Sequence, residues 1–347
     1  MAAHTGVRSP TRTMWLTGLL VLAFSLVLGV AIGAANVAPS HVLLEIVSHI
    51  PGIRVNTQIP TSESAIIWQL RLPRVVLAGL VGAMLATSGC AYQGTFRNPL
   101  ADPYLLGVSA GAGLGATLAI VINSGHAHWV VPLAAFVGAM VAVLMTYSLG
   151  RSALVGRSAT ALVLAGVAVA SMLTAVQTLV QQRNSDKIRE VYGWVLGRLS
   201  TSGWSDVTLI FPYVAFCLIV LLQYRRVLDV FSVGDEEALT MGLPVKRARA
   251  AIIICASLGT AAAVSVTGLI GFVGIIIPHT LRLVVGNSYR LLMPLSVMYG
   301  AAFVVLADLA ARTALAPQEI PIGVVTALIG APFFLFVLGS SRSGHLT

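Results

Sequence analysis

Charge is scarce in this sequence. Only 10% of its 347 residues are Asp, Glu, Lys or Arg, against about 25% in an average soluble domain. With 57% hydrophobic residues, such a chain belongs to the membrane class. Acidic residues are the scarcest: 12 Asp and Glu stand against 21 Lys and Arg, a net charge of +9. In a soluble protein that excess would suggest nucleic acid, but no soluble basic domain exists here to carry it. Arginines at the ends of membrane segments, fixing orientation, account for it. Cysteine is nearly absent. Cys90, Cys217 and Cys255 lie in apolar runs without a C-x-x-C spacing, which favours buried free thiols over a disulfide or a metal site. No G-x-x-x-x-G-K-[ST] loop occurs, so this chain does not hydrolyse nucleotide through a P-loop. No H-E-x-x-H, G-x-S-x-G or paired-carboxylate arrangement occurs either. No catalytic residue, metal ligand or cofactor is therefore assigned to the chain, and His279 is taken as a packing residue. Nor is there a convincing ionisable group near the middle of an apolar run, which a proton-coupled carrier would need. Energy for any transport would have to come from another chain.

What is present is a series of continuous apolar runs, without the alternation of a membrane β-barrel. They predict an all-α integral membrane protein with about ten transmembrane helices in one domain, residues 14–339, between tails at 1–13 and 340–347. The first helix is expected at 14–35. Its run of about 20 residues exceeds the 7–15 of a signal-peptide core. The others are expected near 73–94, 103–123, 129–149, 158–181, 206–223, 248–264, 269–285, 291–311 and 321–339. His41–Ile50 suits a short amphipathic surface helix. Ten crossings place both termini on one side. That side also receives Arg97, Arg151, Arg157, Arg225, Arg226, Lys246, Arg247 and Arg249, so both termini are expected to be cytoplasmic, in the cytoplasmic (inner) membrane.

Three local patterns stand out. From Arg71 to Gly115, two glycine-rich apolar segments flank a polar turn, Arg97-Asn98-Pro99-Leu100-Ala101-Asp102-Pro103. Small residues at such spacing let helix backbones approach closely in a bilayer, and the prolines stiffen the turn. Asp308 and Arg312, four apart, suit an ion pair on one helix face. Gly234-Asp235-Glu236-Glu237-Ala238-Leu239-Thr240-Met241-Gly242-Leu243-Pro244 is amphipathic. Asp235 suits a helix cap, Glu236 and Glu237 its positive end, Gly242 its stop and Pro244 a new start. It is either a solvated loop or a pair of short surface helices offered to a cytoplasmic partner.

Six blocks in order resemble the FecCD-type permeases of binding-protein-dependent ABC importers for iron–siderophore complexes, haem and vitamin B12. They are R-L-P-R at 71–74, R-N-P-L-A-D-P at 97–103, the region ending Gly242-Leu243-Pro244, and G-L-I-G-F-V-G-I-I-I-P-H-T-L-R at 268–282. A-D-L-A-A-R at 307–312 and E-I-P-I-G-V-V-T-A-L-I-G-A-P-F-F at 319–334 complete the set. The resemblance implies a permease of the vitamin B12/iron–siderophore importer type that works with a second permease copy or paralogue. It also implies two ATPase subunits that hold ATP and Mg, and an extracytoplasmic substrate-binding protein. It gives Asp235, Glu236, Glu237, Ala238, Leu239, Met241, Gly242, Leu243 and Pro244 the part of ATPase-coupling helices. Arg71, Arg74 and Arg312 become docking points for the binding protein, and segment 182–205 part of the outer gate. Small residues on the third, fifth, eighth and tenth helices are expected to line the pathway. A ferric siderophore is the expected cargo, with haem or cobalamin as alternatives. Readings of another class are a non-transporting receptor or scaffold and a proton-coupled carrier.

Overall fold

The computed structural model describes residues 12–33, 37–49, 59–122, 129–150, 159–199 and 203–343, and these are entirely helix and connections. Arg54 and the basic turn Arg151–Arg157 lie outside the described residues, as do most of the two tails. Fifteen α-helices follow in order. They are α1 (Arg12–Ala31), α2 (Pro39–Ser48), α3 (Thr61–Ala65), α4 (Leu72–Phe96), α5 (Val108–Ile122), α6 (Val130–Gly150), α7 (Ala159–Arg183) and α8 (Ile188–Val195). They continue with α9 (Trp204–Gln223), α10 (Arg225–Val233), α11 (Asp235–Thr240), α12 (Val245–Thr267), α13 (Val273–Val285), α14 (Tyr289–Thr313) and α15 (Ile322–Ser343). A π-helical stretch, Ile66–Arg71, joins α3 to α4, and a 3₁₀ turn, Pro103–Leu106, precedes α5.

Seven of these helical segments are long and apolar enough to cross a membrane. Three shorter apolar ones, Val108–Ile122, Val273–Val285 and Ile322–Phe336, make up the rest of the bundle. The shorter ones have a local cause. At 1.5 Å per residue α13 is only about 20 Å long, less than the roughly 30 Å of hydrocarbon. The residues expected to begin it, Leu269–Phe272, are not helical. Likewise the first residues of the segment expected from 103 are spent on the 3₁₀ turn.

The bundle is layered around α4. The apolar window of its span is 83% buried, and those of α12 and α14 are 78% and 67% buried. Those of α1, α6, α7 and α9 are only 22–28% buried. Bilayer lipid is as apolar as leucine, so close helix approach has to come from small side chains. Gly82 meets the backbone of Gly300 in α14, and Gly89 meets the backbone of Gly274 in α13. Facing α12, Ser88 donates to the Ala256 carbonyl at 3.1 Å and Tyr92 shares a 2.5 Å hydrogen bond with Ser257. A second small-residue seam joins α5 to α6, where Gly111 meets Gly138 and Gly115 meets Ala134. The peripheral helices turn Leu20, Phe24, Leu144, Leu164 and Phe216 outward, as lipid contact requires.

These contacts predict a contrast along one helix. A Cβ at Gly89 would overlap the Gly274 backbone, whereas one at Gly79 would meet only the Ala301 methyl at 4.0 Å. Gly89→Ala should lower stability by about 1–3 kcal/mol, and Gly79→Ala by less than about 0.5 kcal/mol. Thermal unfolding of the detergent-purified variants checks this.

Candidate functional site

The polar chemistry lies at the two ends of the bundle. The first face carries the 97–103 turn, α10 and α11. Leu228 and Phe231 bury one side of α10, and Asp229 binds across to the next helix pair. Its carboxylate accepts from the Tyr289 amide at 2.5 Å and the Ser288 hydroxyl at 3.0 Å, with Arg290 at 3.3 Å. It thereby satisfies the first free N–H group of α14, that of Tyr289. Sequence reasoning missed this role, because a capping aspartate 60 residues from its helix leaves no local spacing signal.

α11 is the short acidic helix expected from 234–244, but its cap differs. Gly234, not Asp235, is the N-cap, and no side chain caps it. Asp235 is the first helical residue and its carboxylate is taken elsewhere. It accepts two bonds from Arg249 of α12, at 2.8 and 3.0 Å, and Arg97 approaches to 3.6 Å. The hydrogen bond from Arg249 is the main cause holding the Asp235 carboxyl below its usual range. Burial opposes this, and the charges of Arg249 and Arg97 add to the lowering. Gly242, with φ +76°, ends the helix. The Leu243 amide donates back to the Ala238 carbonyl at 3.1 Å, as in a Schellman stop. Pro244 then precedes α12 itself rather than another short helix, so the surface pair is α10 and α11. Ala238 is fully buried. Glu236, Glu237, Leu239, Met241 and Gly242 are exposed, Leu239 and Met241 to 60% and 64%.

The 97–103 turn abuts this pair. Arg97 ends α4 in a left-handed conformation at φ +50°. The Asn98 side chain accepts from the Leu100 amide at 2.9 Å, and Asp102 accepts from the Tyr104 amide at 2.8 Å. Pro99 follows Asn98, and Pro103 opens the 3₁₀ turn.

The second face holds the three arginines expected to dock a partner, and it separates them. Arg71 and Arg312 are each only 5% exposed. Arg71 donates to the Val30 and Ala31 carbonyls, both at 2.9 Å, and Arg312 to the Gly29 carbonyl. Both therefore cap the C-terminus of α1, where cations are favoured. Neither is offered outward in this chain, because the last carbonyls of α1 need donors that lipid cannot supply. Arg74 is the one of the three that borders open space. It forks onto Asp308 at 2.8–3.1 Å and onto Glu319 at 2.8 and 3.1 Å. The expected Asp308–Arg312 pair is present at 3.5 Å, but Arg74 is the closer partner. Arg74, Asp308 and Glu319, with Arg198 and Leu199, line an open cavity of about 150 Å³.

Next to that cavity the segment after α8 is tied to two others. The Arg198 amide donates to the Thr267 carbonyl at 2.7 Å, Ile322 to Gly197 at 3.3 Å and Gly323 to Leu196 at 3.0 Å. Among the described residues, no group of three or more His, Cys, Asp or Glu could hold a metal ion. His279 packs edge-on to Phe333.

A glycine-seamed helical bundle with a short-helix pair on one face and a charged cavity on the other defines a membrane permease. The chain belongs to the FecCD transport family, whose model matches residues 20–340. It is 45% identical over 281 residues to the cobalamin import system permease protein BtuC of Halobacterium salinarum, covering 81% of this chain and 75% of that one. It is 36% identical over 342 residues to the hemin transport system permease protein HmuU of Yersinia pestis, covering 93% and 96%. A solved structure described as an inward-facing metal-chelate type ABC transporter superposes with a TM-score of 0.82 at 30% identity, over 95% and 99% of the two chains. Family and fold are those of transport components rather than ATPases.

Two outcomes follow. Arg74→Ala leaves Asp308, 1% exposed, with only Arg312 nearby. It should destabilise the protein by about 3–5 kcal/mol, as removal of one buried ionic partner does. Arg74→Ala/Asp308→Ala should recover part of that loss in thermal melts. At the other face, the lowered Asp235 carboxyl stabilises the α11–α12 link above its unfolded pKa of about 3.9. The link should be lost as pH falls through the lower folded value. Protection against hydrogen exchange at 234–241, relative to the intrinsic rate at each pH, should fall there, and Asp235→Asn should remove that pH-dependent loss of protection.

Proposed function

We propose that this permease carries a metal chelate, cobalamin before other cargo, across the cytoplasmic membrane, driven by separate ATPase subunits. The observation that carries the reading is the exposed surface of α11. Leu239 and Met241 stand free beside Glu236 and Glu237, on a helix anchored from beneath by Ala238 and Asp235. An apolar patch with a charged rim suits a protein partner. The chain's lack of a phosphate-binding loop makes an ATP-hydrolysing partner the one it needs. α10 and α11 are then the coupling elements, Asp235 to Pro244 their contact region, and ATP and Mg belong to the partner.

The excess of Arg and Lys at this end (Arg97, Arg225, Arg226, Lys246, Arg247, Arg249) supports a cytoplasmic placement, with both termini on the same side. The opposite face then meets a substrate-binding protein. Arg74 is the accessible member of the expected docking set, and Arg71 and Arg312 support it from within. A second permease copy or paralogue completes the pathway. In its favour, α7 presents Ser171, Thr174, Thr178 and Gln182 on an exposed side, and polar side chains in a membrane helix tend to face a bundle interior or a pathway. Cobalamin is placed first because the 45% identical relative is named for it. The ferric siderophore expected from sequence and haem are competing outcomes of the same test.

Reconstitution with the ATPase and binding protein in proteoliposomes tests this. ATP-dependent uptake of labelled cobalamin should exceed that of haem and ferric siderophore. Leu239→Glu/Met241→Glu should cut uptake at least tenfold while leaving the permease folded. Uptake that ignores that double substitution would remove the coupling role. Uptake abolished by a protonophore with ATP maintained would favour a proton-coupled carrier, and failure to retain any ATPase a receptor or scaffold. Transport of haem or a ferric siderophore alone would change the cargo and keep the class.

A further inference from the structure

Between α12 and α13 the backbone leaves the helix for five residues, Gly268–Phe272. Its two ends lie at different depths. Thr267 accepts from the Arg198 amide at the second face. Gly274, just past the other end, packs on Gly89 inside α4 and accepts from Gln93 Nε2 at 3.0 Å. Irregular backbone at this depth persists only where protein satisfies its polar groups.

Ile270 sits at the middle of the break and is 2% exposed. Both of its backbone groups go to one atom. The Tyr104 hydroxyl donates to the Ile270 carbonyl at 2.9 Å and accepts from the Ile270 amide at 3.1 Å. Tyr104 belongs to the 3₁₀ turn that follows the 97–103 turn, and Asp102 fixes its amide. Pro103 packs against Gly274. The turn of the first face thus ends in a phenol inserted into the break.

On its other side the break touches the second face. Gly268 holds φ +71°, with the Trp194 carbonyl where a Cβ would stand. The Leu269 carbonyl crowds both Gly197 and Gly323. These glycines carry the backbone bonds Ile322 to Gly197 and Gly323 to Leu196, which tie the end of α8 to the start of α15.

We propose that Tyr104 is a positioning residue for transport, whose hydroxyl clamps the 268–272 break to the first-face turn. Displacement of α11 reaches that turn through Asp235 and Arg97, and Tyr104 passes it to the break. The break moves the Leu196–Arg198 and Ile320–Gly323 segments that border the charged cavity. This rests on the importer reading above, because it needs an ATP-driven displacement of α11. It adds a discrete element with two arrangements, clamped and released, which physical coupling between distant faces requires.

Hydrogen exchange of the full importer, with and without trapped ATP, tests the assignment. In the wild type, ATP should change exchange at both 234–241 and 266–273 by at least threefold. Tyr104→Phe keeps the ring and its packing but loses both hydrogen bonds. It should keep ATP hydrolysis and the 234–241 response within twofold, lose the 266–273 response and cut uptake at least tenfold. A variant that retains both the 266–273 response and uptake overturns the proposal. So does one that loses both responses along with its folded yield, since that is a structural role only. The wild type alone gives a further check. A response at 234–241 with none at 266–273 removes the transmission role and leaves the importer reading standing. No response at either segment removes both.

Discussion

Inside a bilayer every backbone N–H and C=O must find its partner within the protein, and most of this structure follows from that constraint. Helices meet it automatically along their length, but helix ends, breaks and turns do not. At each such place a particular side chain steps in. Arg71 and Arg312 take the last carbonyls of α1, Asp229 the first amide of α14, Asp102 the amide of Tyr104, and Tyr104 both groups of Ile270. Few charged residues are present, and Arg71, Arg312, Asp229 and Asp102 are committed to these ends. With backbone satisfaction assured, helix association can rest on shape, and glycine supplies it where α4 meets α13 and α14.

The crossings were legible because each is a continuous apolar run of roughly the length a bilayer demands. The ten expected helices correspond to α1, α4, α5, α6, α7, α9, α12, α13, α14 and α15. The glycine pattern was legible for the same reason, since close packing in lipid leaves little else to select for. The 268–272 break was not. Its residues, Leu269 to Phe272, are as apolar as the helices beside it, and hydropathy carries no information about backbone conformation. The gap between the helices expected at 248–264 and 269–285 reaches it only at Gly268, and the structure shows why a glycine stands there. At φ +71°, with the Trp194 carbonyl pressed against it, Gly268 occupies a position no other residue fits without strain.

The charged residues were legible as a set but not in their individual roles. R-L-P-R reads as a basic rim, yet its two arginines part company. Arg71 ends a π-helical stretch and turns inward to α1, while Arg74, three residues on, forks between Asp308 and Glu319. The choice depends on what lies opposite, which is 40 and 41 residues away for Arg71 and 234 and 245 for Arg74. Asp235 shows the same limit locally. Its type and position suit an N-cap, but an arginine reaching back from α12 outcompetes the bare amides with a charge-assisted contact, one guanidinium nitrogen meeting both carboxylate oxygens.

The two ends of α4 show how a rigid core and moving faces coexist. α4 begins among the arginines of the second face and ends at Arg97 on the first, a rod of about 37 Å at 1.5 Å per residue. Gly82 and Gly89 are pressed against neighbouring backbone, so it has no room to slide without unpacking the core. A close-packed interior transmits force but does not bend continuously. Motion between the faces must therefore use the places where helix is absent: the 97–107 turn, the 268–272 break, and the connections around Gly197 and Ile322. The break touches each of the other two, through the hydrogen bonds of the Tyr104 hydroxyl at Ile270 and through the Leu269 carbonyl against Gly197 and Gly323. A bundle whose rigidity is concentrated in one helix can change shape only where such bonds, few and separately breakable, hold the irregular segments together.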